Sequence, residues 1–361
     1  MTDALTFHPP GPLTILGLGP AAAAGELVEI RGRDELEGLF ASDGVAPDGR
    51  FPVADAAREA LERGVPALRV LLLGEDLDEL DRRLAAESEA PQPFAALAHP
   101  GLILLPGVLD ESRQARAIAP FRARGSGLVL LDVPGDHTEA SPPPGPRGHQ
   151  AARFAPWLLD ESDGDQPLSA ALLAAILIET RSGPARLRDP IAPLSTSPEL
   201  RPATVFEPER RRAWLRAGVN LFTPPPHRGR AETRLYGDRT ASEEPGLARL
   251  GQTRLMLALV DSLVTGLRAR MTRPRDAALM AEIQSAVEEG LSRLRRAGEL
   301  LGETDTEAFR LECGEDLHPP QFVTPDDLVM KLEVALESVE APVPLGLCLW
   351  TRGFDIALGG S

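Results

Sequence analysis

Cysteine, lysine and aromatic residues are nearly missing from this chain, and each shortage excludes something. Its 361 residues include two cysteines, Cys313 and Cys348, and one lysine, Lys331. Neither cysteine has a CxxC partner, so a zinc site built on thiolates is excluded, and two buried structural thiols are favoured over a disulfide between them. No lysine stands in a phosphate-gripping glycine loop. Aromatics make up 4% of the chain, so the core must be built from Leu, Val, Ile and Ala, and few rings remain for stacking a base or cofactor. No run of about 18 apolar residues occurs, so no membrane-spanning helix is expected. Met1–Pro12 lacks a charged segment followed by an apolar one, so no secretory leader is expected either.

The net charge of −16 argues against a nucleic-acid partner. The charge is segregated: residues 1–200 carry −13, residues 201–300 carry +6 and residues 301–361 carry −9. A basic block between acidic ones suits a chain that meets copies of itself or a charged partner. Solvated faces in an Arg-rich composition account for it equally well. Arg210-Arg211-Arg212 reads first as a solvated helical face and second as a partner-binding patch.

What the chain does have is alternation of short apolar strands with helices, punctuated by 35 prolines and 33 glycines. Leu13–Leu18 and Leu27–Ile30 read as strands, and Arg33–Phe40 and Val53–Gly64 as helices, the second with glycine at its C-terminal cap position. Leu68–Leu73, Leu102–Leu105 and Leu128–Leu131 are further buried strands, separated by helices over Asp76–Ala86 and Asp110–Arg124. Such an order means a mainly parallel sheet covered by helices. Thr138–Gln150 reads as a surface loop, and Ala170–Glu179 is ambiguous between helix and strand. After the Pro-rich stretch 184–208 the style changes. Pro208–Ala217 is a polar helix, and Val219–Phe222 and Glu232–Leu235 are strand-like. Two long helices follow: Leu255, Leu259, Leu263 and Leu267 share one stripe, Ile283, Val287, Leu291 and Leu294 another. Phe309–Cys313 is a strand. Leu328, Met330, Leu332, Val334 and Leu336 alternate with mostly polar neighbours, which predicts a half-buried strand over Leu328–Glu337. Leu345, Leu347 and Leu349 alternate again, and Phe354–Leu358 is a last short strand.

Chemistry is sparse. Gly17-Leu18-Gly19 follows a strand, but the third glycine of a dinucleotide fingerprint is absent and Pro20 interrupts the turn. The six histidines show no metal-ligand spacing. Asp132, His137, Ser169 and Ser182 are the residues from which a degenerate hydrolase triad could be drawn, yet no nucleophile elbow surrounds either serine, and Asp132-Val133-Pro134 reads as a turn after a strand. The acidic groups Glu75, Asp76, Asp78, Glu79 and Glu315-Asp316 lack EF-hand spacing and read as solvated helix ends. No catalytic, metal or cofactor residue is expected.

The order of these segments resembles the contractile tail sheath family of phage tails and extracellular injection systems. Ile15–Pro20, Leu27–Ile30 and Glu35–Phe40 resemble its opening strand, Gly-Pro turn, second strand and short helix. Ala56–Gly64, Ala67–Leu73, Gly101–Gly107, Leu130–Pro134, Ala155–Leu158 and Ala170–Arg181 resemble later segments in the same order. Trp214–Leu221 (WLRAGVNL) resembles the family's Gly-Val/Ile-Asn signature, carried here by Gly218, Val219 and Asn220. Leu235–Ala241 (LYGDRTA) resembles its Trp-Gly-Ala-Arg-Thr-Leu signature, carried by Gly237, Arg239 and Thr240, with Tyr236 at the Trp position and Asp238 at the Ala position.

The resemblance implies a non-enzymatic structural subunit. Its fold would be α/β, with a subtilisin-like three-layer lobe lacking protease activity over residues 1–200 and an α+β sheath C-terminal domain with terminal strands over residues 201–361. It implies assembly in the cytoplasm around an inner tube protein, with neighbouring sheath subunits, baseplate and cap proteins as partners and no cofactor. Leu328, Met330, Leu332, Val334, Leu336, Leu345, Leu347, Leu349, Phe354 and Ile356 then mark candidate inter-subunit strands, because exposed sheet edges in this family are completed by neighbours. Contraction is implied to be a rigid-body rearrangement. The family usually begins with a longer arm, whereas only Met1–Pro12 precedes the first core strand, with His8-Pro9-Pro10-Gly11 as the nearest match. That departure adds a second expectation, a capping or initiating subunit without the linking arm. The rivals from other classes are the degenerate hydrolase and a general scaffold.

Overall fold

Short, continuous apolar runs dictate the central layer, because its strands are buried on both faces. The computed structural model describes residues 5–20, 24–40, 52–86, 94, 97–135, 137–182, 187, 191, 193–225, 232–268, 270–273, 276–313, 317, 327–350 and 353–358. Its strands, in chain order, are β1 (Leu13–Leu18), β2 (Leu27–Ile30), β3 (Leu68–Gly74), β4 (Leu102–Leu104), β5 (Leu128–Asp132), β6 (Ala151–Ala155), β7 (Leu158–Asp160), β8 (Gln166–Leu168), β9 (Leu194–Ser195), β10 (Leu200–Pro202), β11 (Val219–Thr223), β12 (Arg234–Tyr236), β13 (Phe309–Cys313), β14 (Leu328–Val334), β15 (Val343–Trp350) and β16 (Gly353–Leu358). The α-helices are α1 (Arg33–Phe40), α2 (Pro52–Glu62), α3 (Leu77–Ala86), α4 (Glu111–Arg124), α5 (Ala170–Leu177), α6 (Pro208–Arg216), α7 (Leu250–Arg268), α8 (Ala277–Arg296) and α9 (Asp305–Ala308).

A nine-stranded mixed sheet runs in the order β2-β3-β1-β4-β5-β6-β11-β12-β9. Its six middle strands, β3 to β11 in that order, are parallel, while β2 at one edge and β12 and β9 at the other pair antiparallel. Leu13, Ile15, Val70, Leu72, Leu104 and Leu130 point to one face and pack with α2 and α5. Leu16, Leu71, Leu73, Ile103 and Val129 point to the other and pack with α3 and α4. Both faces being covered explains why these strands read as nearly continuous apolar runs. A small antiparallel sheet, β10-β7-β8, lies beside this lobe. The ambiguous segment after Ser169 is helix α5, buried over its whole length, with the Ser169 hydroxyl accepting from the Leu172 amide at its N-cap.

The C-terminal lobe is an antiparallel meander, β13-β14-β15-β16, laid on α7 and α8. Leu328, Met330, Leu332 and Val334 of β14 and Leu345, Leu347 and Leu349 of β15 are all buried against Leu259, Leu263, Ile283 and Val287 of the helices. Helix α7 belongs to both lobes. Its Leu250 and Leu257 join the sheet lobe's core, and its Leu255, Met256, Leu259, Val260 and Leu263 join the C-terminal one.

Two expectations change. The strand expected over Leu328–Glu337 ends at Val334. Leu336 is buried beyond it, after Ala335, whose amide donates to the Ala308 carbonyl and whose carbonyl accepts from the Leu301 amide. The nine-stranded sheet takes in β11 and β12, so a division at residues 200/201 cuts across crossovers of one sheet. The two cysteines are half-buried and, as expected, form no disulfide with each other. Cys313 lies opposite Met330, on the helix-facing side, and Cys348 opposite Val329, on the other side. Their side chains leave opposite faces of the sheet and cannot be bridged. Burial pushes the Cys313 thiol up to about 11.

Leu263→Ala, in the core shared by α7 and the meander, is expected to destabilise the protein by about 2–5 kcal/mol in urea titrations. Leu77→Ala, at a position 40% exposed, is expected to stay within about 0.5 kcal/mol.

Candidate functional site

The two sequence signatures meet in space and form a buried staple. Asn220 on β11 is fully buried. Its Nδ2 donates to the carbonyls of Arg153 on β6 (3.1 Å) and Arg239 (2.8 Å), and its Oδ1 accepts from the Arg239 amide (2.8 Å). One amide side chain therefore ties two strands to the loop that leads to α7. Gly237 adopts φ +98°, and a Cβ there would sit 2.8 Å from Asn220 Oδ1. Only glycine supplies both that dihedral and that clearance. Thr240 Oγ1 donates to the Leu247 carbonyl (2.6 Å). The Ala241 amide donates to Ala151 (2.7 Å) and its carbonyl accepts from Gly148 (3.0 Å). Gly218 turns the chain from α6 into β11 at φ +79°, and Val219 is buried beside Trp214. Arg239 is exposed and contributes through its backbone alone. The signature residues thus build the framework and present no reactive group.

Asp238, where the resembled family carries Ala, adds a buried carboxyl beside this staple. Burial pushes it up to about 6, while Arg249 and the amides of Ile191, Leu250 and Gly251 pull the other way. It faces Arg254, a buried guanidinium on α7 whose Nε and Nη1 have no hydrogen-bond partner. Burial lowers the Arg254 pKa, opposed by Glu179, Asp238 and Glu299. Burial also raises Glu179. This cluster joins the turn after α5, the signature loop, α7 and the segment after α8. An arginine within the apolar stretch 250–264 was its visible signal in the sequence.

The hydrolase residues are assembled for structure. Asp132 Oδ2 accepts from Ser169 Oγ (2.6 Å) and Oδ1 from the Ala171 amide (3.0 Å). The carboxylate thus sits at the N-terminus of α5, where the helix dipole favours it, although burial outweighs these bonds and raises its pKa. His137 Nε2 is bonded to the Val133 carbonyl (2.9 Å). A carbonyl only accepts, so that nitrogen carries its proton and cannot serve as a base. The ring packs edge-on to Trp214, with centroids 5.7 Å apart. The side chain of Ser182 lies outside the described residues. Among the described residues, no group of three His, Cys, Asp or Glu could hold a metal ion, and no helix is long and apolar enough to cross a membrane.

The C-terminal meander has two outer strands, β13 and β16. Among the described residues neither pairs on its outer side. Phe354, Ile356 and Leu358 of β16 stand opposite Leu349, Leu347 and Leu345 on the helix-facing side. Ile356 reaches Gly125 at the end of α4, and Arg268 covers the Phe354 ring at 5.9 Å. The opposite side of the sheet carries Lys331, Glu333 and Asp355 and ends at Trp350, 36% exposed. All of the expected strand positions except Leu336 lie on the strands of this one sheet.

No protein-family model matches the chain, and no curated protein matches it either. Solved structures do. It is similar to a chain of the anti-feeding prophage helical sheath in the contracted state, with 19% identity, 92% of each chain covered and a TM-score of 0.71. A chain of the anti-feeding prophage baseplate shows 17% identity over 93% of this chain and 92% of that one, with a TM-score of 0.70. The sheath tail protein of Desulfitobacterium hafniense shows 12% identity over 96% and 97%, with a TM-score of 0.65. The chain therefore has the mixed α/β fold of these sheath proteins along nearly its whole length.

Asn220→Ala strands the Arg239 amide and two carbonyls, and is expected to cost about 2–4 kcal/mol by chemical denaturation. Arg239→Ala is expected to be near neutral. For Asp238, a folded pKa of about 6 stands above the ordinary 3.8. Its contribution to stability is complete below pH about 4 and is lost as pH rises through 6. The melting temperature should therefore fall between about pH 4 and pH 7, and Asp238→Asn should flatten that part of the dependence.

Proposed function

We propose that this chain is a structural subunit that polymerises with its own copies into a contractile sheath around an inner tube. The observation that carries the reading is the fold likeness, which covers 92% of this chain and 92% of a sheath chain at a TM-score of 0.71. Three features support it. The signature residues are framework, with Asn220 spent entirely on backbone groups. The nearest thing to a triad has its histidine nitrogen committed to a carbonyl. The C-terminal meander offers two outer strands, β13 and β16, to which a neighbour's backbone could add.

In this reading the sheet lobe is a non-catalytic, subtilisin-like three-layer unit, and α7, α8 and the meander form the sheath C-terminal domain. Residues on β14, β15 and β16 hold the sheet that neighbours extend. The partners are adjacent sheath subunits, the tube and baseplate proteins. The subunit is built in the cytoplasm and becomes part of a phage tail-like particle. Contraction moves whole subunits while the strand links persist.

A capping or initiating subunit is the second reading. The observation that favours it is the course of residues 5–12, which form no strand and dock on their own chain.

Negative-stain electron microscopy and sedimentation of the purified protein, with its neighbouring particle proteins, test both readings. Tubes containing this chain along their length are expected for a repeating subunit, and labelling at one end only for a cap. A strictly monomeric protein absent from every tubular particle would sink the sheath reading.

A further inference from the structure

We infer that the segment Leu5–Pro12 is an intramolecular clasp that locks the sheet lobe and the C-terminal lobe into one rigid body. The inference concerns a single chain and stands apart from what that chain assembles into. Three backbone amides of the segment are spent on fixed points. Leu5 N–H donates to the Ala286 carbonyl of α8 (3.0 Å), His8 N–H to Ser262 Oγ of α7 (3.0 Å), and Gly11 N–H to the His99 carbonyl in the sheet lobe (2.6 Å). The segment therefore begins bonded to one lobe and ends bonded to the other.

Both helices are shaped to receive it. Leu5 is 3% exposed and belongs to the C-terminal core. It lies over Gly266 of α7 and Gly290 of α8, and a Cβ on Gly290 would stand 2.7 Å from Phe7 Cε2 and 2.9 Å from the Leu5 carbonyl oxygen. Glycine inside a helix is unfavourable relative to alanine. Two of them facing the same docked segment are accounted for by the room that segment needs. On the far side Gly11 and Gly101 approach so closely that a Cβ on Gly101 would collide with the Gly11 carbonyl. Pro9, Pro10 and Pro12 restrict the intervening chain, which lowers the entropy lost on docking and leaves no amide unpaired there.

The clasp closes over a polar joint. His99 Nδ1 lies 2.5 Å from Asp261 Oδ2, and Arg124 Nη2 at the end of α4 lies 3.3 Å from Asp261 Oδ1. Asp261, on α7, is 6% exposed, so two sheet-lobe side chains converge on one buried carboxylate of the helix they must hold. The His8 ring stacks on His99, with centroids 4.4 Å apart, and covers this joint from outside.

Gly290→Ala separates the clasp from ordinary packing, because by itself the change makes α8 a better helix. In the full chain, the clasp predicts that the Leu5 and His8 amides exchange with deuterium at least tenfold faster than in the parent. It also predicts one cooperative thermal transition for the parent, and a split or broadened one for the variant as the lobes uncouple. Arm amides that remain protected overturn the inference. So does faster arm exchange with an unchanged single transition, which would make the segment mere packing. Should Gly290→Ala fail to fold, Leu5→Gly leaves both helices untouched and is read by the same two measurements with the same outcomes.

Discussion

Helix α7 is apolar around most of its circumference, and a helix of that kind is stable only where protein encloses it on every side. The sheet lobe covers Leu250 and Leu257, and the C-terminal meander with α8 covers Leu255, Met256, Leu259 and Leu263. Each lobe covers only part of it. The lobes therefore share a core element, and several of the polar groups that α7 carries into that core are matched from the surrounding chain. Thr253 Oγ1 reaches the Leu247 carbonyl, Ser262 receives the His8 amide, and Asp261 receives His99 and Arg124.

Arg254 is the costly member of this set. A buried guanidinium with two unpartnered nitrogens is tolerated because Glu179, Asp238 and Glu299 surround it, and a buried charge without opposite charges nearby would not be. The Glu179 and Asp238 carboxyls are in turn held at raised pKa values by the same burial. Such clusters specify geometry more than they add stability. Here the cluster sits where four segments from both lobes converge, so it fixes how the lobes meet.

Three of the four side chains from which a reactive centre could be drawn are spent on the fold: Asp132 and Ser169 cap α5, and His137 bonds a carbonyl and packs on Trp214. Among the described residues, the outer strands β13 and β16 of the C-terminal meander pair on one side only.

Local pattern decided a good deal. Short apolar runs such as LRVLLL and LVLL, alternating along the chain with amphipathic helices, made the mainly parallel, helix-covered sheet legible, and the stripes of α7 and α8 and the alternation of β14 and β15 made the C-terminal lobe legible. These depend on which face of an element is apolar, and that is written in consecutive residues. The order of Gly218-Val219-Asn220 and Gly237-Asp238-Arg239-Thr240 pointed to the fold but not to its reason. That Asn220 staples two strands to the α7 loop depends on a contact across 19 positions, which no local period records. The end of β14 before Leu336, the membership of β11 and β12 in the first sheet, the placement of the two thiols on opposite sheet faces, and the docking of Leu5 over Gly266 and Gly290 were decided by tertiary structure alone. Each turns on which distant surface a residue meets, and a one-dimensional pattern carries the face of an element but not its partner.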